Sequence, residues 1–248
     1  MSIRYFNLIV AFTILWSNYS EAQNYKTRAK VNINSKWLYI ENPTENIQYA
    51  LSQNNWEEIN LPHSWNALDA TDNTPGYRRS ASWYKKDLEI LKVSTNKIYK
   101  LYFEGVNIES KVYVNGKHVG GHTGGYIGFS VDISEVIKEG NNEVLVRVDN
   151  SYNPEIIPSQ KSDFFIFGGI TRDVWLAVFP ENYLFNLKIT TPKVSKEKAE
   201  LVVTVAINQN GNSNLKVKAS LLDDKGKSVK SSKFSVVNSA AKIVFNTI

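Results

Sequence analysis

The strongest constraint in this sequence is a period of two. The stretches KIYKLYFE (97–104), SKVYV (110–114) and EVLVRVD (143–149) alternate apolar with polar residues and are rich in β-branched and aromatic side chains, as half-buried strands require. No segment of helical length and periodicity separates them. A parallel pair needs a crossover of about a dozen residues or more, so the strands are expected to pair antiparallel in an all-β sandwich or jelly roll. Only SEVIK (134–138) reads as helical, as one capped turn before the break at Gly140-Asn141.

A chain of 248 residues with 42% hydrophobic and 12% aromatic content can fill one large or two ordinary cores. Its first 22 residues read as a secretory signal peptide. Arg4 supplies the positive start, residues 8–16 the apolar run, and Ser20-Glu21-Ala22 a small-x-small cleavage site before Gln23. The run falls well short of the roughly 20 residues that cross a bilayer, and no later stretch is apolar for long enough. An exported protein, periplasmic or extracellular, with no membrane span after signal removal is expected. Export permits disulfides, yet the chain has no cysteine, so core burial must hold it together.

The formal charge of +5 divides unevenly. From Leu184 onward there are eleven lysines and four acidic residues, which is +7 and leaves −2 for everything before. That tail has no arginine and few aromatics, a poor fit to a surface that must stack bases. It reads as the solvated face of strands rather than a nucleic-acid site. Around Pro180-Glu181-Asn182 aromatics thin out and lysines appear, which places a boundary between a jelly-roll domain (23–182) and a second unit (183–248). AELVVTVAI (199–207), LKVKASLL (215–222) and 242–245 give that unit some four strands, whereas an immunoglobulin-like sandwich has about seven. The second unit therefore reads as a truncated immunoglobulin-like sandwich.

NGKHVGGHTGGYIGFSVDIS (115–134) holds six of the thirteen glycines and two of the three histidines. A phosphate cradle would lead into a helix N-terminus, but Gly124-Gly125-Tyr126 leads into the alternation of Ile127, Phe129, Val131 and Ile133. A metal loop would need a third ligand beside His118 and His122, with Glu109 and Asp132 the nearby acids, and no metal or other cofactor is expected. Asn115-Gly116 between alternating stretches suits a type I′ hairpin turn, which needs positive φ at both positions.

Here the sequence resembles a known family. VYVNGKHVGGHTGGYIGFSVDIS (112–134), SDFFIFGGITRDVWL (162–176), WEEINLPHSWN (56–66) and YRRSASWYKK (77–86) are similar, in order and spacing, to the N-terminal domain of family 2 glycoside hydrolases, which include β-galactosidases, β-glucuronidases and β-mannosidases. The likeness spans 34–180. It departs at Gly128, where relatives commonly have proline, and at Thr171, where tyrosine or phenylalanine is usual. The resemblance implies a galactose-binding-like jelly roll, then an immunoglobulin-like domain, then a (β/α)₈ barrel with both catalytic carboxylates. Retaining hydrolysis uses two carboxyl groups about 5–5.5 Å apart, and the family's acid/base glutamate follows an asparagine. The only Asn-Glu pair here, Asn142-Glu143, opens a strand after a turn and reads as solvated. No catalytic residue is therefore expected in this chain.

The resemblance also implies that Asp163, seven residues before Ile170 of the G-I-x-R motif, reaches the glycone from this domain. A carboxylate there would accept hydrogen bonds from two sugar hydroxyls; the other reading is a turn cap before FFIF. Tyr77 and Arg78 lie in the long loop 69–79 and are candidates for the border of the same sugar site. Loop 150–167 is the other long irregular segment, and such loops are where binding concentrates. Arg172 is expected to bond loop carbonyls. Trp65 could offer a pyranose platform, while Trp83 and Trp175 read as core. The expected function is the N-terminal part of an exported β-glycosidase, inactive alone, with a β-galactoside or related β-glycoside and the missing barrel as partners; the alternative is a freestanding carbohydrate-binding module.

Overall fold

The computed structural model describes residues 28–69, 71–156, 165–208 and 215–246. The signal-peptide reading of 1–22 lies outside the described residues, as does Asp163. The chain forms two compact units, divided between Val178 and Phe179. The division falls slightly before 182 because the next residues are tied to the second unit. The Phe179 ring stacks on Tyr183 at 4.6 Å, and the Asn208 side chain donates to the Glu181 carbonyl at 3.0 Å.

The first unit is a sandwich of two antiparallel sheets. The strands are β1 (Ala29–Asn32), β2 (Trp37–Ile40), β3 (Glu57–Ile59), β4 (Ala81–Ile90), β5 (Lys97–Phe103), β6 (Glu109–Val114), β7 (Lys117–Thr123), β8 (Phe129–Asp132), β9 (Gly140–Asp149) and β10 (Val174–Pro180). One sheet runs β1-β10-β5-β8 and the other β3-β2-β4-β9-β6-β7. The expected alternation puts Leu101, Phe103 and Leu176 of the first sheet against Tyr84, Val112, Val146 and Val148 of the second in one core. The Asn115-Gly116 turn joins β6 to β7 with φ of 51° and 79°, as the type I′ geometry requires.

SEVIK forms the expected single turn, with the Ile137 amide donating to the Ile133 carbonyl at 2.9 Å. A helix that was not expected stands at α1 (Ile47–Leu51), where the Asn46 side chain accepts from the Tyr49 amide, a standard N-cap. Five residues are too few for propensity to sustain. Packing holds this turn: Ile47, Ala50 and Leu51 lie on Trp83 and Leu145, over the outer face of the six-stranded sheet. Trp83 is fully buried and its indole N–H donates to the Thr44 carbonyl at 3.0 Å. Trp175 is only half-buried, a correction to its reading as core. The Lys30 ammonium sits 4.0 Å from its ring centroid, and its indole N–H donates to Glu104 at 2.9 Å. Asn142 is likewise not solvated. It is completely buried, accepting from Asn115 and the Lys138 amide and donating to the Lys138 and Gly140 carbonyls.

Among the described residues the second unit has five strands rather than four: β11 (Tyr183–Val194), β12 (Ala199–Asn208), β13 (Lys216–Leu222), β14 (Ser228–Ser235) and β15 (Ala240–Asn246). They pair as β11-β12-β15 and β13-β14. A small core of Val203, Val205, Ile207, Ile243 and Phe245 receives Val217 and Phe234 from the two-stranded sheet. Leu187 and Ile189 lie directly beside Val205 and Val203, yet they are 58% and 57% exposed. On the solvent face, Lys218 and Lys233 stand directly opposite each other.

Candidate functional site

The long loops of the first unit meet at one end of the sandwich, where three buried asparagines bind them together. Asn66 is fully buried. Its amide donates to the Arg78 carbonyl at 3.2 Å and the Ile166 carbonyl at 3.1 Å, and its oxygen accepts from the Gly168 amide and the Ser64 hydroxyl, both at 2.9 Å. Asn150, also fully buried, adds a second donor to the Ile166 carbonyl at 3.1 Å and accepts from the Ser80 amide at 2.9 Å. Asn107 donates to the Phe167 carbonyl, and its backbone bridges to Gly169. Buried carbonyls without donors are costly. These side chains serve the irregular backbone that strand ladders cannot reach.

Arg78 is the second fastener. Three of its five N–H groups donate, to the Tyr39 hydroxyl at 3.2 Å, the Ala81 carbonyl at 2.8 Å and the Ser82 hydroxyl at 2.9 Å, and its Nε forms an ion pair with Glu41 at 2.6 Å. Its guanidinium also lies 5.0 Å from the Trp65 ring centroid, and its backbone amide donates to Asp69 at 2.7 Å. The donors are thus committed to the protein, and their effect is to fix the turn that carries Tyr77. Tyr77 is half-buried, packed on the cluster of Ile108, Ile156 and Ile166, with its ring 4.5 Å from Phe165. The Arg79 guanidinium sits between the rings of Tyr77 and Tyr152, at 5.7 Å and 6.0 Å. Ile156 and Ile166, which share the Tyr77 cluster, are both buried, so both flanks of loop 150–167 arrive at Tyr77.

Beneath this end lies a buried polar set. The His63 Nδ1 and Tyr84 hydroxyl are 2.8 Å apart, and the Tyr39 and Ser82 hydroxyls 3.1 Å. Burial pushes the His63 imidazole below its ordinary value, against a smaller opposing effect of Glu57. Burial likewise raises Tyr39 and raises Tyr84 well above the usual phenol range. Neutral forms are favoured throughout, which suits a hydrogen-bonded support rather than a proton relay.

The remaining candidates of the sequence reading separate. Arg172 is exposed and donates to the Tyr126 carbonyl at 3.4 Å, in keeping with a loop-bonding role. Trp65 is half-buried, near-parallel to Tyr39 at 6.4 Å. His122 stacks on Phe129 at 4.8 Å, and His118 tilts against Tyr113 at 5.1 Å. Among the described residues no cluster of three His, Cys, Asp or Glu side chains is arranged to hold a metal ion. No helix among the described residues is long and apolar enough to cross a membrane. Sequence reasoning missed Asn66, Asn107 and Asn150. Their one visible signal was position, at the margins of loops too long to satisfy their own backbone.

This arrangement has counterparts. Residues 27–180 match the family model of the sugar-binding domain of glycosyl hydrolases family 2. A putative β-glucuronidase of Formosa agariphila is 61% identical over 243 residues, covering 97% of this chain and 29% of its own length. A β-galactosidase of Thermoanaerobacter pseudethanolicus is 33% identical, covering 80% of this chain and 27% of its own length. The crystal structure of a putative β-galactosidase from Bacteroides fragilis superposes with a TM-score of 0.77 at 29% identity, over 89% of this chain and 36% of the other. This chain thus spans about a third or less of each of these relatives, and the described loops and sheets are those of their β-sandwich domains. The chain belongs to glycosyl hydrolases family 2, through its sugar-binding domain.

Proposed function

We propose that this chain is the N-terminal part of an exported β-glycosidase of family 2, contributing sugar contacts and scaffold to an active site whose catalytic carboxylates lie on further sequence. The observation that carries this is coverage: a relative named as a putative β-glucuronidase aligns with 97% of this chain using only 29% of its own length. The fastened loop end supports the same reading. Tyr77, aimed and braced by Arg78, borders the flanks of the loop that contains Asp163, and we assign Asp163 and Tyr77 to the glycone. Their chemistry is complementary: a carboxylate can accept from sugar hydroxyls, and an aromatic ring can pack on the apolar face of a pyranose. The second unit, in this reading, is the start of an immunoglobulin-like sandwich. Export rests on the leader-like first 22 residues.

The test has two arms. The chain 23–248 is assayed against nitrophenyl β-glucuronide and β-galactoside, and no saturable hydrolysis is expected. In the complete enzyme, Asp163→Ala is expected to lower kcat/KM about 100-fold, corresponding to the loss of hydrogen bonds to a charged group worth about 3 kcal/mol, with the melting temperature held. Turnover by the chain alone, or an Asp163→Ala enzyme of unchanged activity, refutes the respective arm. A freestanding carbohydrate-binding module would show itself as a stop codon directly after Ile248 in the genome.

A further inference from the structure

The outer face of the six-stranded sheet carries a groove of about 640 Å³ beside α1, within the range of small-ligand sites. Its floor is built from rows of facing residues across β9, β6 and β7. Asp149, Glu109 and Thr123 form one row, and Arg147, Lys111 and Gly121 the next. Their neighbours Val112, Val146 and Val148 point into the core, so these side chains project outward. Gly121 lets β7 approach β6 closely, since a Cβ there would lie 2.1 Å from the Ser110 carbonyl oxygen. The His118 ring, resting on Tyr113, stands two residues further along, so the lined length is about 13 Å at roughly 3.3 Å per residue.

The charges in this groove are arranged in an unusual way. Glu45, from the loop before α1, lies 3.1 Å from the Lys111 ammonium and 3.7 Å from Arg147. Arg147 also pairs with Asp149 at 3.2 Å and donates to the Thr44 and Pro43 carbonyls, each at 3.2 Å. It is a bound strut with little capacity left. Glu109 stands directly opposite Asp149, an unfavourable like-charge pairing, and no cation among the described residues is within ion-pair distance of it. Three carboxylates against two cations make the lining net negative, which disfavours an anionic ligand. What remains is a set of acceptors, the Lys111 ammonium with donors beyond the one given to Glu45, the Thr123 hydroxyl and a flat ring. That is the chemistry of a neutral polyol.

We propose that this groove binds a neutral oligosaccharide, with vicinal hydroxyls donating to Glu109 and Asp149, Lys111 and Thr123 donating to ring or hydroxyl oxygens, and His118 forming the end wall. This site is built from the groove's own side chains, so its failure would leave the assignment of Asp163 and Tyr77 untouched.

The experiment is calorimetric titration of the full chain with β-1,4-galactotetraose and xylotetraose, and with tetragalacturonate as an anionic counterpart of equal length. Saturable binding of a neutral probe is expected, weakened about tenfold in Glu109→Ala and likewise in Lys111→Met, with melting temperatures close to the parent's and tetragalacturonate at least tenfold weaker. The absence of saturable heat with both neutral probes up to about 10 mM, a concentration that captures even binding of about −3 kcal/mol, would overturn the proposal. Equal or tighter binding of tetragalacturonate would overturn the neutral assignment. Neutral binding that both groove variants preserve, and that Tyr77→Ala removes, would move the ligand to the loop end and overturn the site.

Discussion

Replacing Asn66 tests whether the loop end is held by side-chain amides. In Asn66→Ala the Arg78 and Ile166 carbonyls keep the Asn150 donor, at 3.4 Å and 3.1 Å. The Gly168 amide, however, loses its acceptor. One buried orphan donor costs about 1–3 kcal/mol, and the vacated space adds to it, so a loss of about 2–4 kcal/mol is expected. Asn66→Asp should be worse despite being nearly isosteric. It keeps the acceptor for Gly168 but turns a second oxygen towards two carbonyls, and it buries a carboxylate among backbone groups. Burial would raise that carboxyl's pKa. Because the folded value would lie above the unfolded one, the extra penalty should shrink as pH falls towards 4, where the protonated acid can donate to one carbonyl. The assay is the urea midpoint of the three proteins at pH 7 and pH 4.5. With m of about 1–3 kcal/mol per molar urea, the alanine variant should shift by roughly 1 M or more. An Asn66→Asp protein as stable as Asn66→Ala at pH 7 would refute the donor assignment and the account of the loops built on it.

Gly168→Ala should cost about 3 kcal/mol, because a Cβ there would lie 2.1 Å from Trp65 Cζ2; Gly226→Ala, in open space at φ +77°, should cost only about 1–2 kcal/mol, and the difference in urea midpoints checks the contact. His63 has a folded-state pKa depressed by burial, so its contribution is fully present above the free imidazole value of about 6.5 and is lost as pH falls below it. Denaturation midpoints between pH 7.5 and 5 should therefore decline, and less steeply in His63→Gln. Leu187→Lys with Ile189→Lys should change the stability of this chain by less than about 1 kcal/mol, since both positions are more than half exposed. If, as proposed, the chain is part of a longer family 2 enzyme in which further strands cover these positions, the same pair should be destabilising there, which thermal melts of the two proteins would compare.

Much of the first unit was legible because its core strands obey period two without interruption. β5 and β9 bury Leu101, Phe103, Val144, Val146 and Val148 where the alternation placed them. The Asn115-Gly116 turn was legible for a local reason, since two consecutive positive φ values admit few residue pairs. Other elements depend on distant partners. The α1 turn exists because Trp83 and Leu145 supply a surface for it. β11 escaped notice because a register shift between Leu184 and Asn186 breaks its alternation. In the candidate site, the polar residues that matter structurally bond carbonyls as far away as Ile166 is from Asn66. No pattern local to Asn66 encodes that. Tyr77 and Arg78 were found as a pair by loop position, whereas the geometry divides their labour: one ring at the surface of the Ile108 cluster, one guanidinium turned inward.

The facing lysines of β13 and β14 bear on how this protein behaves in salt. Lys218 opposite Lys233 is a repulsive pair in a sheet of two strands, and it contributes little to folding. Its field, however, guards a sheet whose edges pair with no other strand among the described residues against pairing with another copy, a common use of lysine on exposed strands. That protection is electrostatic and so has a range. At low ionic strength it extends about 30 Å, but at 1 M salt only about 3 Å, less than the 4.7 Å or so between paired strands. Concentrated chain should therefore stay dispersed in dilute buffer and self-associate as salt is added.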